Sequence, residues 1–175
     1  MENKLRSTRQ EEYTLDLFNL LAKWSNDPDI QPYAIPRFSE EDYVPFTGYE
    51  LMVSALQHEN KFIYLVYDDL KPIGEFSIDL SFGHKVTTEP LIAWISLVIG
   101  DKKYWGKGVG EWMMRSIEQE CRSLGLKGIE LGVFDYNLRA LRLYQKLGYE
   151  HIATIPNFVY HSNEWHSDIR MLKKL

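Results

Sequence analysis

Six residues of the 175-residue chain, Trp105-Gly106-Lys107-Gly108-Val109-Gly110, set three glycines at alternate positions ahead of an amphipathic stretch. Glycine lets a backbone approach a ligand without side-chain clash. The first turn of a helix carries unpaired N–H groups at a positive dipole end. A glycine-rich corner that opens a helix therefore suits an anion such as a phosphate or pyrophosphate. Two widespread phosphate motifs do not match. G-x-x-x-x-G-K-[ST] requires Ser or Thr where Gly108 follows Lys107, and Gly100 lies one residue too far upstream; G-x-G-x-x-G requires glycine where Glu111 stands. Taken alone, the loop is equally well a softened strand-helix corner.

A second segment runs Asn137-Leu138-Arg139-Ala140-Leu141-Arg142-Leu143-Tyr144-Gln145-Lys146-Leu147-Gly148-Tyr149 and reads N-x-x-A-x-x-x-Y-x-x-x-G-[FY]. Together with the glycine loop it resembles the GNAT superfamily of N-acetyltransferases, over residues 91 to 155. More faintly, Trp24-Ser25-Asn26-Asp27-Pro28 and Tyr104-Trp105-Gly106-Lys107-Gly108 resemble the branch of ribosomal-protein N-terminal, polyamine and aminoglycoside acetyltransferases. The superfamily loop is written [QR]-x-x-G-x-[GA], and Trp105 departs from it at the first position. The resemblance implies acetyl-CoA as co-substrate. Backbone N–H groups of Trp105, Gly106, Lys107, Gly108, Val109, Gly110 and Glu111 would cradle the pyrophosphate. Leu97, Val98 and Ile99 would offer backbone hydrogen bonds to pantetheine in a gap between splayed strands. Asn137 would touch the pantetheine arm or the loop beside it, and the small Ala140 would let the cofactor lie against the last helix. Asn137 is also a sound helix N-cap.

Acetyl transfer to an amine needs a group that removes a proton, because an amine with an ordinary pKa of about 10.4 is mostly charged at neutral pH. It also benefits from a donor to the departing thiolate, and from a backbone N–H at Val98 or Ile99 that polarises the carbonyl. Tyr144 follows Asn137 by two helical turns on about the same face and is the candidate donor. Glu75, Ser77 and Asp79 alternate along one strand, and Glu75 is the candidate base. A solvated sheet face explains that alternation equally well. Glu89 and Glu111 are further carboxylates to consider.

The elements that must hold these residues follow from periodicity. Leu15, Leu17, Phe18, Leu20, Leu21 and Trp24 predict a helix of about four turns that stops before Asp27-Pro28. An irregular loop follows, with room for a short helix, and then a helix over Tyr49–His58. Strands are expected at 62–67, 73–82 and 91–99, then a helix over 109–124, a strand at 129–133, a helix over 140–147, and strands at 149–155 and 167–172. Residues 156 to 167 show no readable pattern. The expected class is α+β: a single GNAT-like domain over residues 1–175, with a mixed, mostly antiparallel twisted sheet of about six to seven strands flanked by about four helices.

Bulk properties narrow the function classes. A net charge of −5 argues against a nucleic-acid partner. The longest apolar run, Leu91 to Ile99, is too short for a bilayer, and Met1-Glu2-Asn3-Lys4 does not begin a signal peptide, so a cytoplasmic protein is expected. Cys121, the only cysteine, falls on an apolar helical stripe. His151, His161 and His166 lack metal-site spacing, so no metal is expected. The acceptor is an amine on a small molecule, an aminoglycoside, or a protein N-terminus or lysine; the resemblance also implies a homodimer. The alternative of another class is a non-catalytic acetyl-CoA sensor. An open groove beside the sheet would suit a peptide, and a closed acidic pocket a polyamine or aminoglycoside.

Overall fold

The computed structural model describes residues 4–175; Met1, Glu2 and Asn3 of the leading segment lie outside the described residues. Seven strands, β1 (Leu5–Arg9), β2 (Lys61–Asp68), β3 (Lys71–Asp79), β4 (Ile92–Val98), β5 (Gly128–Phe134), β6 (Glu150–His161) and β7 (Glu164–Lys174), form one sheet in the order β1-β2-β3-β4-β5-β7-β6. The pairs are antiparallel except β4 with β5. The helices are α1 (Leu15–Ser25), α2 (Gln31–Ala34), α3 (Gly48–Leu56), α4 (Val109–Ser123) and α5 (Leu138–Lys146). The α+β class stands. Helix α1 is a turn shorter than expected, and α2 is the single-turn helix inside the long loop.

Two cores flank the sheet. On one face Phe76, Ile78, Ala93, Ile95, Ile129 and Leu131 pack against Met113, Met114, Ile117 and Cys121 of α4 and Tyr144 of α5. On the other, Ile63 and Leu65 pack against Leu17, Phe18, Leu21 and Trp24 of α1. Helix α1 starts at an N-cap, Thr14, whose Oγ1 accepts from Leu17 N. Helix α3 starts at a capping box in which Thr47 and Glu50 bond each other's backbone N–H. Among the described residues, no helix is long and apolar enough to cross a membrane.

Two departures from the sequence expectation concern strands. β1 carries Leu-Arg-Ser-Thr-Arg with little apolar alternation, yet pairs with β2 along its whole length at the sheet edge. The last hairpin runs much further than expected, to a two-residue turn at Ser162 and Asn163, both with positive φ (51° and 64°). Such a turn matches the right-handed twist of its flanking strands.

Phe76 has no exposed surface and stacks on Tyr64 with ring centroids 4.6 Å apart. Phe76→Ala is expected to lower unfolding free energy by about 3–5 kcal/mol, read from denaturant midpoints; a loss under ~1 kcal/mol would mean this core collapses around the void.

Candidate active site

Strands β4 and β5 pair only through Ile92↔Gly128, Ala93↔Ile129 and Trp94↔Glu130. Beyond Trp94 the two strands part. β4 keeps its antiparallel partner as far as Glu75↔Val98, and β5 keeps β7 as far as Phe134↔Asp168. The gap opens into a cleft of about 1480 Å³ whose walls come from both faces of the sheet. That exceeds the roughly 300–1,000 Å³ of a site for one drug-sized ligand, so it has room for a long co-substrate and an acceptor together.

The glycine loop forms one end of this cleft. Gly106 (φ +75°) and Gly108 (φ +81°) are left-handed, and a side chain at Gly108 would meet nothing within 4 Å, so backbone conformation rather than space selects glycine there. Gly108 is the N-cap of α4 and supplies no side-chain cap. The first helical bond runs from Trp112 N to Gly108 O, 3.0 Å, and leaves the N–H groups of Val109, Gly110 and Glu111 ahead of it. Gly110 has a different reason: a Cβ there would lie 3.3 Å from Leu143 Cδ2, so the small residue seats α4 against α5.

Trp105 has its own explanation. Its indole Nε1 donates to Ile99 O at 3.0 Å, tying the loop back to the end of β4. The Ile99 carbonyl thereby already accepts one hydrogen bond and keeps a second lone pair. Glu111, a carboxylate beside an anion site, is neutralised: Lys146 Nζ lies 2.6 Å from one oxygen and Arg115 Nη2 2.9 Å from the other, and these two partners, Lys146 foremost, hold its pKa below the usual carboxylate range.

Leu97, Val98, Ile99, Trp105, Gly106, Gly108, Val109, Gly110, Glu111, Asn137, Ala140, Tyr144 and Glu75 all line the cleft. Lys107 does not; its ammonium sits 6.0 Å from the Tyr104 ring centroid. Asn137 caps α5, its Oδ1 accepting from Ala140 N at 3.2 Å, so both readings of this residue fit its position. Tyr144 is 8% exposed, and burial pushes its phenol up to about 12. Glu75 is deep in the cleft but still reached by solvent, and burial raises its carboxyl to about 7, against the opposing pull of Lys61. Ser77 lines the same wall, 2.7 Å from Ser96 Oγ. Asp79 does not line it, and instead accepts from Ser81 N. Glu89 also lies elsewhere, paired with Lys174.

The long loop closes the other end. Asn26 Oδ1 accepts from Tyr43 Oη (2.7 Å) and Phe46 N (3.0 Å), and Lys102 bridges Asp27 and Asp29. The Trp24 ring fills the space a side chain at Gly100 would need. Tyr43 and Phe46 therefore pin the loop, while Tyr33 and Phe38 line the cleft. The loop is clipped to the far hairpin by Tyr160 N to Arg37 O (2.9 Å) and by Phe38 edge-on to Phe158 (5.4 Å). Missing from the sequence reading were Asp168 and Arg170 of β7, which are buried and face this enclosed end. Their signal was a pair of charges two apart in a strand of Ile169 and Met171, the pattern of a solvated sheet face. The Cys121 thiol is buried among apolar groups and raised to about 12.

A splayed parallel pair, a left-handed glycine corner opening a helix, and an Asn-capped helix carrying an inward tyrosine define the class. The chain belongs to the acetyltransferase (GNAT) family, whose model matches residues 17–149. Over 58 residues it is 36% identical to the spermine/spermidine N(1)-acetyltransferase of Bacillus subtilis (strain 168), a match covering 33% of this chain and 38% of that protein. The match thus spans well under half the length of the curated relatives. The fold is similar over 98% of this chain to a spermidine N-acetyltransferase from Vibrio cholerae in complex with CoA and spermine (TM-score 0.76, 18% identity, 95% of that chain). It is similar over the same share to an N-acetyltransferase from Staphylococcus aureus Mu50 (TM-score 0.75, 16% identity, 98% of that chain).

Gly108→Ala is expected to cost about 1–2 kcal/mol of stability through the left-handed backbone alone. It should also weaken CoA binding measured by titration calorimetry. Unchanged affinity would mean the loop conformation does not form the anion site.

Proposed function

We propose that this protein transfers the acetyl group of acetyl-CoA directly to an amine of a small cationic acceptor. The observation that carries the reading is the pairing of Glu75 and Tyr144, which reach one cleft from opposite faces of the sheet through the gap between β4 and β5. Glu75 and Asp168 on the cleft wall favour a cationic acceptor, and the spermine/spermidine acetyltransferases among its relatives favour a small amine over a peptide.

In this reading pantetheine lies in the gap and completes the free edge of β4, with the pyrophosphate on the first turn of α4. The acceptor ammonium first gives a proton to Glu75, and the lone pair this frees attacks the thioester carbonyl. The C–N bond forms, the C–S bond breaks, and the second nitrogen proton passes to the departing thiolate. A base of pKa about 7 suits this task at neutral pH, where it is part ionised and close in driving force to the step it assists. Tyr144 points its hydroxyl at the departing sulfur. Its pKa of about 12 lies above the ~8.5 of a free thiol. The proton therefore rests on tyrosine, and its contribution is a hydrogen bond that stabilises charge as it develops on sulfur.

Two measurements test the assignment. Glu75→Gln should lower kcat/KM on the order of 10²-fold, and the wild-type rate should climb as pH rises through about 7, where Glu75 loses its proton. A flat profile from pH 6 to 8 would remove Glu75 as the base. Tyr144→Phe should reduce kcat while leaving the KM for acetyl-CoA within about twofold, since a group acting on the transition state lowers kcat without removing ground-state binding. An unchanged kcat would sink its role.

A further inference from the structure

The enclosed end of the cleft holds a buried charge cluster that the chemistry above does not use. Arg170 is 3% exposed and lies between two aromatic rings, its guanidinium carbon 4.7 Å from the Trp94 centroid and 5.8 Å from that of Phe158. Its Nε donates to Asp168 Oδ2 at 2.6 Å, its Nη1 donates to His84 O at 2.9 Å, and Glu130 Oε1 is 3.6 Å away. Glu130 spends both oxygens on the N–H groups of Val86 and Thr87. One guanidinium thus faces two carboxylates. Asp168 is 2% exposed and lines the cleft, and its other oxygen, Oδ1, is buried with no hydrogen-bond partner.

A buried carboxylate oxygen without a donor is unfavourable, and native structures keep such groups where a ligand or water completes them. Room is kept for this one. At Gly132 a Cβ would stand 2.8 and 2.9 Å from the two Asp168 oxygens and 2.9 Å from Trp94 Cη2. Burial, and secondarily the Glu130 carboxylate, raise the Asp168 carboxyl against the pull of Arg170 and of the neighbouring Val133 N–H, a direction that an incoming cation would oppose. Trp94, Phe82 and Phe158 also line the cleft here and offer apolar surface to the methylene groups of such a ligand.

Resting on the transferase reading above, we propose that Asp168 Oδ1 anchors a second cationic group of the acceptor and so selects diamine-type or polyamine-type substrates over monoamines. The register supports the spacing. Glu75 and Asp168 occupy one face of the sheet, on β3 and β7, with β4 and β5 between them. Because β4 and β5 are splayed at this level, the two backbones stand further apart than the roughly 14 Å of three paired inter-strand steps, so only a long, extended acceptor reaches both carboxylates. The acceptor amine lies at Glu75 and its far ammonium at Asp168.

The experiment compares kcat/KM for α,ω-diamines of six to ten carbons with that for amino alcohols of the same lengths, using the full chain and acetyl-CoA. The wild type should prefer the best diamine over its amino alcohol by at least tenfold. Asp168→Asn, which keeps shape and loses charge, should collapse that ratio to within about twofold, with the loss in KM for the diamine. Gly132→Ala, which displaces the carboxylate without altering its charge, should reduce the ratio in the same direction and serves if Asp168→Asn does not fold. Equal use of diamine and amino alcohol by the wild type, or a ratio preserved in either folded variant, overturns the role of Asp168. Binding of acetyl-CoA with no amine turned over would instead overturn the transferase reading from which this one follows.

Discussion

The structure turns on the parting of β4 from β5 after Trp94. A strand in the middle of a sheet normally has both edges paired, because buried N–H and C=O groups left alone are costly. Here the end of β4 has β3 on one side and a cleft on the other. Every feature of the site is arranged around that free edge. The loop from Ile99 to Gly108 leaves it, α4 begins where the loop turns, and α5 approaches from beyond β5 with Asn137 and Tyr144 facing the gap. A sheet of the same strands paired to their ends would bury Glu75 and Tyr144 in separate layers with no route between them.

The surroundings keep the gap open and shaped. Trp105 closes the loop onto Ile99 through its indole, which gives this chain a physical reason for an aromatic residue at the first loop position. Lys146 and Arg115 neutralise Glu111, so the helix start stays suited to an anion. Lys102, paired with Asp27 and Asp29, fastens the long loop to the segment just before the glycines, while Asn26 holds Tyr43 and Phe46 within the loop. The loop crosses to the last hairpin and walls the other end of the cleft.

Much of this could be read from sequence, for reasons visible in particular residues. Helix α4 and strands β2 to β5 carry strong apolar periodicity because each has a face fully in the core. The glycine loop and the Asn137-to-Tyr144 segment are local in sequence, so their spacing survives without the fold. Other parts resist reading because their determinants are distant. β1 has almost no apolar face, and only its pairing with β2 makes it a strand. The tips of β6 and β7 are exposed, and their one strong signal is the Ser162-Asn163 turn. Glu75 and Asp79 look alike as alternating acids; what separates them is which lies beside the gap. Asp168 and Arg170 resemble surface charges, and their burial depends on Trp94, Phe158 and Glu130 from three other strands.

Backbone amide hydrogen exchange with and without CoA reads the free edge of β4 itself. New protection is expected at residues 97–99, 106–111 and 137–144, along that edge, the start of α4 and the first turns of α5. Protection that leaves these three segments unchanged and appears elsewhere would contradict a cofactor seated on that edge.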